Sequence, residues 1–322
     1  MDQATCFVCG SKKVVLLFRS RDRLYPDLPG EFAMQRCQNC GLSFLHPQPE
    51  ADVLNQHYPD HYTAYQGVSG SPLRTGRKFR DSVLQRTLAL WLGYGRKNIL
   101  WGVYWPYSFR IAYYPRYVKD GYILDVGCGS GKFLLAMRGL GWRTMGIDIS
   151  KKAVEAATRV GGEARLGSLT DVRFDDSVFH AITMHHVFEH VPNPKETLRE
   201  AHRILRTGGE LIITVPNTRS LSARLFGRHW FGWEIPRHAN NYNRRNITAL
   251  LQGAGFRVEA VVFTGIFDTF LSSFAYWWRD RSALPIPALG PVGRLLGAAG
   301  FILDPFAHLV SLGDAMTVRV RK

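Results

Sequence analysis

The tightest constraint on this chain is the run Ile123-Leu-Asp-Val-Gly-Cys-Gly-Ser-Gly-Lys-Phe133, in which an apolar stretch empties directly into three glycines. Gly127, Gly129 and Gly131 allow a tight turn and let the backbone approach a ligand closely, and the residues that follow read as a helix. The next strand-like run, Thr144-Met-Gly-Ile-Asp148, ends in a carboxylate that can accept hydrogen bonds from both hydroxyls of a ribose. A G-x-G loop alone also fits a dinucleotide binder. Here the spacing is G-x-G-x-G rather than G-x-G-x-x-G, and no fingerprint for a second nucleotide half follows. Asp125, two residues before the first glycine, suits a cationic ligand better than a pyrophosphate.

Around this loop the pattern alternates. Strand-like runs are Tyr122–Val126, Arg143–Ile147, Ala164–Leu166, Ala181–Met184 and Glu210–Val215; helix-like segments are Lys132–Leu140, Lys151–Val160 and Lys195–Leu205. Such alternation predicts an α/β fold, a doubly wound and mostly parallel sheet with helices on both faces. A further helix, Asn246–Gln252, leads into a strand at Phe256–Phe263, and the last strand is expected at Ala315–Val320, after an aromatic, Pro- and Gly-rich insertion at about 265–313.

These motifs in this order resemble the class I S-adenosylmethionine-dependent methyltransferases over about residues 120–264 and the final strand. The resemblance implies a Rossmann-like, seven-stranded sheet whose last strand is antiparallel, and S-adenosylmethionine as cofactor. Carried over, Asp125, Gly127 and Gly129 contact the methionine portion, with Cys128 and Gly131 in the same loop. Asp148 and Ile149 meet the ribose, and Ser168 and Leu169 edge the adenine. Two alternatives stay open: a Rossmann-like oxidoreductase, and a non-catalytic binding module that keeps the fold.

After the fourth strand comes Met184-His-His-Val-Phe-Glu-His-Val-Pro-Asn193, where an acceptor meets the methyl donor in an open α/β sheet. His185, His186, Glu189 and His190 are candidate catalytic groups, since methyl transfer to a hydroxyl requires its proton to be removed. The segment lacks the Pro-Pro-Tyr tetrad of base-modifying amino methyltransferases. It is similar to the Glu-x-x-Glu-His segment of ubiquinone-type O-methyltransferases and ribose-methylating small-RNA enzymes, with His186 in place of the first Glu. That likeness implies a divalent metal at His186, Glu189 and His190, with His238 as a fourth ligand. The other reading is that Glu189 and His190 only cap a helix or orient a loop.

Four of the five cysteines form two C-x-x-C-Gly knuckles, Cys6/Cys9 and Cys37/Cys40. Two thiolates from each give tetrahedral four-thiolate coordination of structural zinc, which predicts a small zinc-ribbon-like module. The knuckles are further apart than usual, and a hairpin through Asp22–Glu31 absorbs the excess. This module, with Gly41–Pro49 and His57–Tyr62 after it, resembles that of methyltransferases associated with bacterial surface polysaccharides and deoxysugars. The large C-terminal domain of the deoxysugar C-methyltransferases is not matched.

The net charge of +15 is concentrated. Residues 71–119 hold ten Lys/Arg against one acid, residues 217–257 seven against one, and the cofactor block at 120–216 is balanced. Both basic windows are rich in aromatics, which suits a phosphorylated sugar or lipid, an anionic membrane surface, or RNA. Arginines after the fifth strand are expected near the acceptor, making Trp230, Arg237, His238, Asn240 and Tyr242 candidate substrate-binding residues.

The expected organisation is a ribbon module at 1–48, a linker and basic aromatic helical segment at 49–118, and the methyltransferase domain at 119–322. Neither a signal peptide nor an uncharged apolar run near the ~18 residues of a membrane span is visible, so a cytoplasmic protein is expected, with peripheral contact to the inner membrane surface. The expected reaction is O-methylation of a sugar-, lipid- or polysaccharide-linked acceptor, with RNA methylation as the alternative.

Overall fold

The computed structural model describes residues 4–58, 92–94, 112–282 and 290–322. The linker and most of the basic segment expected between 59 and 111 lie outside them.

A short antiparallel sheet opens the chain: β1 (Val14–Ser20), β2 (Phe32–Cys37) and β3 (Ser43–Leu45), followed by helix α1 (Ala51–Gln56). The second layer system begins at β4 (Tyr122–Val126) and runs through α2 (Lys132–Gly139), β5 (Arg143–Asp148), α3 (Lys151–Arg159), β6 (Ala164–Leu166), β7 (Phe179–His185), α4 (Pro194–Ile204) and β8 (Leu205–Pro216). Next come α5 (Leu221–Phe226), two single 3-10 turns at Gly227–His229 and Phe231–Trp233, the two-residue strand β9 (Asn240–Asn241) and α6 (Arg244–Gly253). The chain closes with β10 (Arg257–Thr264), α7 (Phe270–Arg279), α8 (Gly290–Leu309) and β11 (Ala315–Arg321).

Seven strands form one sheet in the order β10-β11-β8-β7-β4-β5-β6, parallel except for β11, which runs antiparallel to both neighbours. This is the doubly wound, seven-stranded arrangement expected from the sequence. Its central strands are covered on both faces, so they read as continuous apolar runs. Ile123, Leu124, Ile182, Leu211 and Ile213 are fully buried. Helices α3 and α6 start at side-chain caps: Ser150 Oγ accepts from the Ala153 N–H, and Asn243 and Asn246 form a reciprocal capping box.

Strand order reverses on either side of β4, which pairs with β5 on one edge and β7 on the other. Ligands in open α/β sheets sit outside the carboxyl ends of the strands at such a switch point.

The N-terminal sheet is tied to this domain rather than hung from it. β9, far along the chain, pairs with β3 and completes a four-stranded sheet β1-β2-β3-β9. Cys6, Cys37, Leu42 and Phe44 share one buried cluster with Phe188, Tyr242 and Ile247. Among the described residues no helix is long and apolar enough to cross a membrane.

Candidate active site

A cavity of about 650 Å³ lies across the switch point, a size suited to a nucleoside-containing ligand and part of a second molecule. Its floor is the glycine loop. Gly127 has φ +70°, and a Cβ there would stand 2.2 Å from Val187 Cγ2, so only glycine lets β4 turn beneath the β7 loop. Asp148, at the end of β5, accepts from the Gly129 N–H through Oδ2 and from the Ser150 N–H through Oδ1, each at 2.9 Å. Each oxygen keeps a lone pair for a ligand hydroxyl. Burial pushes the Asp148 carboxyl up, against those backbone donors.

The residues expected around the cofactor divide in two. Gly127, Gly129, Asp148, Ile149, Ser168 and Leu169 line the cavity. Asp125, Cys128 and Gly131 do not. Cys128 donates its N–H to the Ile147 carbonyl, and its thiol packs under Gly146, raised to about 12 by burial and by Asp125 and Asp148. Gly131 caps α2 in the left-handed conformation.

Asp125 sits behind the loop, where Thr183 Oγ1 donates to Oδ1 at 2.7 Å. Burial pushes its carboxyl up to about 7, with Thr183 opposing and Asp148 adding. An unfolded chain gives up this proton near pH ~3.9, whereas the ligand-free fold keeps it to about 7. Stability from this group is therefore lost as pH rises through that window, by up to ~1.4 kcal/mol per pH unit. Ligand-free Asp125→Asn is expected to melt above wild type at pH 8, the gap narrowing toward pH 5 in scanning calorimetry. A gap independent of pH contradicts this.

The opposite end of the cavity is built from the β7 loop and the segment between α5 and β9. His185, His186, His190 and His238 all line it. His186 adopts φ +56°, a backbone strain that a non-glycine residue holds only when its surroundings enforce it. Its Nδ1 stands 3.4 Å from Glu189 Oε1. Burial lowers His186, but Glu189 overcomes this and its pKa is raised. His185 is stacked on Tyr113 and stays neutral, its pKa held far below the usual range by burial.

Glu189 is fully buried just behind this wall, and beyond its 3.4 Å ion contact with His186 its carboxylate oxygens have no hydrogen-bond partner among the described residues. Glu189, His190 and His238 bring ligand atoms within 4.8 Å of one another. His190 Nδ1 lies 3.0 Å from the Arg237 carbonyl and His238 Nδ1 2.8 Å from the Gly232 carbonyl. A carbonyl only accepts, so each Nδ1 carries a proton and Nε2 is the ring atom that each histidine could offer a metal. His238 Nε2 then faces Glu234 at 3.7 Å and Glu189 at 4.0 Å, an arrangement that a bound cation resolves.

Of the residues expected to bind substrate, only His238 reaches the cavity. Trp230 is buried among Met34, Leu45 and Trp233 and donates Nε1–H to Thr269 Oγ1. Tyr242 is buried and stacks on Phe188. Asn240 donates to the Val191 carbonyl while its own N–H bonds the Glu189 carbonyl. Arg237 is fully buried in a two-pronged ion pair with Asp22, at 2.6 and 2.9 Å. The expectation that arginines after the fifth strand reach the acceptor is thus corrected. The described cavity wall carries Asp148, Glu196, Glu234, Asp268 and Asp314 but no Lys or Arg. Glu234, Asp268 and Thr269 join the lining although nothing in their local sequence marks them, and so does Tyr58, from the His57–Tyr62 stretch that carried no site expectation.

The N-terminal cysteines converge. Cys6 and Cys40 sulfurs are 3.5 Å apart and Cys9 and Cys37 sulfurs 3.6 Å, with all four within 4.8 Å. These separations exceed the ~2.05 Å of a disulfide and approach the ~3.8 Å edge of a zinc–thiolate tetrahedron. At Gly41, φ +74° turns the second knuckle.

This sheet order, glycine loop and acidic strand end define a class I S-adenosylmethionine-dependent methyltransferase domain. Residues 104–261 match a family model described as a methyltransferase domain, and the enzyme is an S-adenosylmethionine-dependent methyltransferase. It is 28% identical over 176 residues to a ubiquinone biosynthesis O-methyltransferase of Xanthomonas oryzae, covering 50% of this chain and 70% of that protein. An uncharacterized protein of Methanocaldococcus jannaschii is 26% identical over 151 residues, 47% of this chain and 72% of that one. An S-adenosylmethionine-dependent methyltransferase of Thermotoga maritima aligns with TM-score 0.45 at 20% identity, over 64% of this chain and 84% of its own.

Proposed function

We propose that the enzyme methylates a hydroxyl oxygen on an uncharged sugar-, lipid- or polysaccharide-linked acceptor. The observation that carries this reading is the far wall of the cavity, where histidines and carboxylates stand without a described cation to meet a phosphate. The likeness to an O-methyltransferase supports oxygen as the acceptor atom. Methylation of RNA has less support, since no described Lys or Arg lines the cavity for a phosphate backbone.

S-adenosylmethionine would supply an electrophilic sulfonium methyl, which the acceptor oxygen attacks in line as the C–S bond breaks and S-adenosylhomocysteine leaves. Asp148 and the Gly127–Gly129 backbone hold the nucleoside and methionine ends. His186 takes the hydroxyl proton at Nε2, while Glu189 fixes its ring through Nδ1, 3.4 Å away. The donor set of Glu189, His190 and His238 fits a divalent first-row metal ion, which would acidify a coordinated hydroxyl. Cys6, Cys9, Cys37 and Cys40 would hold a structural zinc ion, four thiolates leaving no position for substrate.

The test is radiolabelled methyl transfer to fractionated native sugar, lipid and RNA pools, with Asp148→Ala as blank. Label is expected in a sugar or lipid fraction, and Glu189→Gln is expected to lower kcat by ~10²–10⁴ with unchanged S-adenosylmethionine affinity. Loss of activity on chelation and its return with added metal support the metal site. Label confined to RNA sinks the acceptor assignment.

A further inference from the structure

Helix α8 is built inside out. Small residues stand at three of its described inward positions: Gly293 packs against Leu271, Gly300 against Ile266 and Phe267, and Ala307 is fully buried. Two residues further along from each, about 200° around the helix, stand Leu295, Ile302 and Leu309, which are 70%, 69% and 79% exposed. Phe306, on the same side, is 61% exposed. A surface helix ordinarily shows the reverse, large apolar groups inward and polar groups outward.

Exposed arginines gather beside the C-terminal end of α8. The backbone at 217–221 adjoins the end of α8: the Asn217 side chain donates to the Ser311 carbonyl, and the Leu221 N–H to the Leu312 carbonyl. Arg219 is exposed within that stretch, and Arg224 is exposed on α5 beyond it. Arg244, also exposed, is close enough to His308 to help burial lower its pKa. The only acid in residues 217–257 is Glu234, which faces the cavity.

We infer that the outward face of α8 seats on an anionic lipid bilayer, with Leu295, Ile302, Phe306 and Leu309 in the headgroup–acyl boundary and Arg219, Arg224 and Arg244 on lipid phosphates. A second copy of the chain on this face would set the same arginines against each other, whereas an anionic membrane complements them. The site benefits directly. Asp268 and Thr269, in the turn that leads into α7, line the cavity, and α7 carries the Leu271 on which α8 packs. Docking holds the acceptor end of the cavity close to the membrane. That purpose rests on the lipid- or glycan-linked acceptor proposed above, whereas the docking itself does not.

Flotation with vesicles of phosphatidylcholine, alone or with about a third phosphatidylglycerol, tests this. The wild type is expected to float with the anionic vesicles. Ile302→Glu/Leu309→Glu, both at exposed positions, is expected to lose at least tenfold in partitioning. Arg219→Glu/Arg244→Glu is expected to lose the preference for anionic lipid. S-adenosylmethionine binding by calorimetry stays unchanged in both variants, so failure of docking and failure of the methyl-transfer reading give different results. The inference is overturned if wild type stays in the dense fraction with both vesicles, or if Ile302→Glu/Leu309→Glu floats as wild type does. A wild-type dimer that this variant converts to monomer, without flotation, also overturns it and assigns the face to self-association.

Discussion

Asp148→Ala is expected to weaken S-adenosylmethionine binding about 100- to 1,000-fold by calorimetry. The carboxylate spends one lone pair of each oxygen on the N–H groups of Gly129 and Ser150, which fixes its plane and leaves two acceptor positions toward the cavity. Two hydrogen bonds to a charged acceptor contribute about 1.5 kcal/mol or more each, or ~3–4 kcal/mol together. The truncation also frees the Gly129 N–H, so the glycine loop loses a brace. Asp148→Asn keeps one acceptor oxygen and is expected to fall between the two. Equal affinity for wild type and Asp148→Ala would place the nucleoside elsewhere in the cavity.

Half of this site is legible in the sequence alone. The glycine loop, the acid at the end of β5 and the histidines after β7 are local features: each lies within a few residues of a strand end, and the parallel sheet gathers strand ends into one crevice. The strands are legible for the same reason, since burial on both faces writes an apolar run into the sequence. The region from Trp230 to Tyr242 is not legible in this way. Trp, Arg and Tyr in a basic stretch read as ligand contacts, but their direction is set by partners remote in sequence: Trp230 by Met34 and Leu45, Arg237 by Asp22. Strand β9 has only two residues, too short for any periodicity, yet its pairing with β3 turns these side chains inward. The same remoteness hides Tyr58, whose hydroxyl lies 3.0 Å from His190 Nδ1.

Asp22→Ala is expected to cost ~3–5 kcal/mol of stability, because it strands the buried Arg237 guanidinium without its counter-charge. A fall in melting temperature of about 10 °C corresponds to that loss. Arg237 donates to both Asp22 oxygens, to the His57 carbonyl at 2.9 Å and, through Nε, to Glu234 at 3.0 Å. Asp22 also receives the Leu24 and Tyr25 N–H groups, and His57 Nδ1 lies 2.8 Å from it. Arg237 holds the Asp22 carboxyl below its usual range against the opposing effect of burial. Its contribution is therefore present above pH ~3.9 and lost as pH falls below, so the gap between wild type and variant closes in acid. Asp22→Leu/Arg237→Met removes both charges and is expected to recover most of the stability, since apolar groups can replace a buried pair. Activity separates the two roles of this pair. The Arg237 carbonyl fixes His190, and the neighbouring His238 enters the cavity, so a loosened Arg237 disturbs the far wall and leaves Asp148 in place. Folded Asp22→Ala should bind S-adenosylmethionine normally and transfer methyl at least tenfold more slowly. If both affinity and turnover match wild type, the N-terminal module is a passive stabiliser, and the four-stranded sheet completed by β9 does not govern the chemistry.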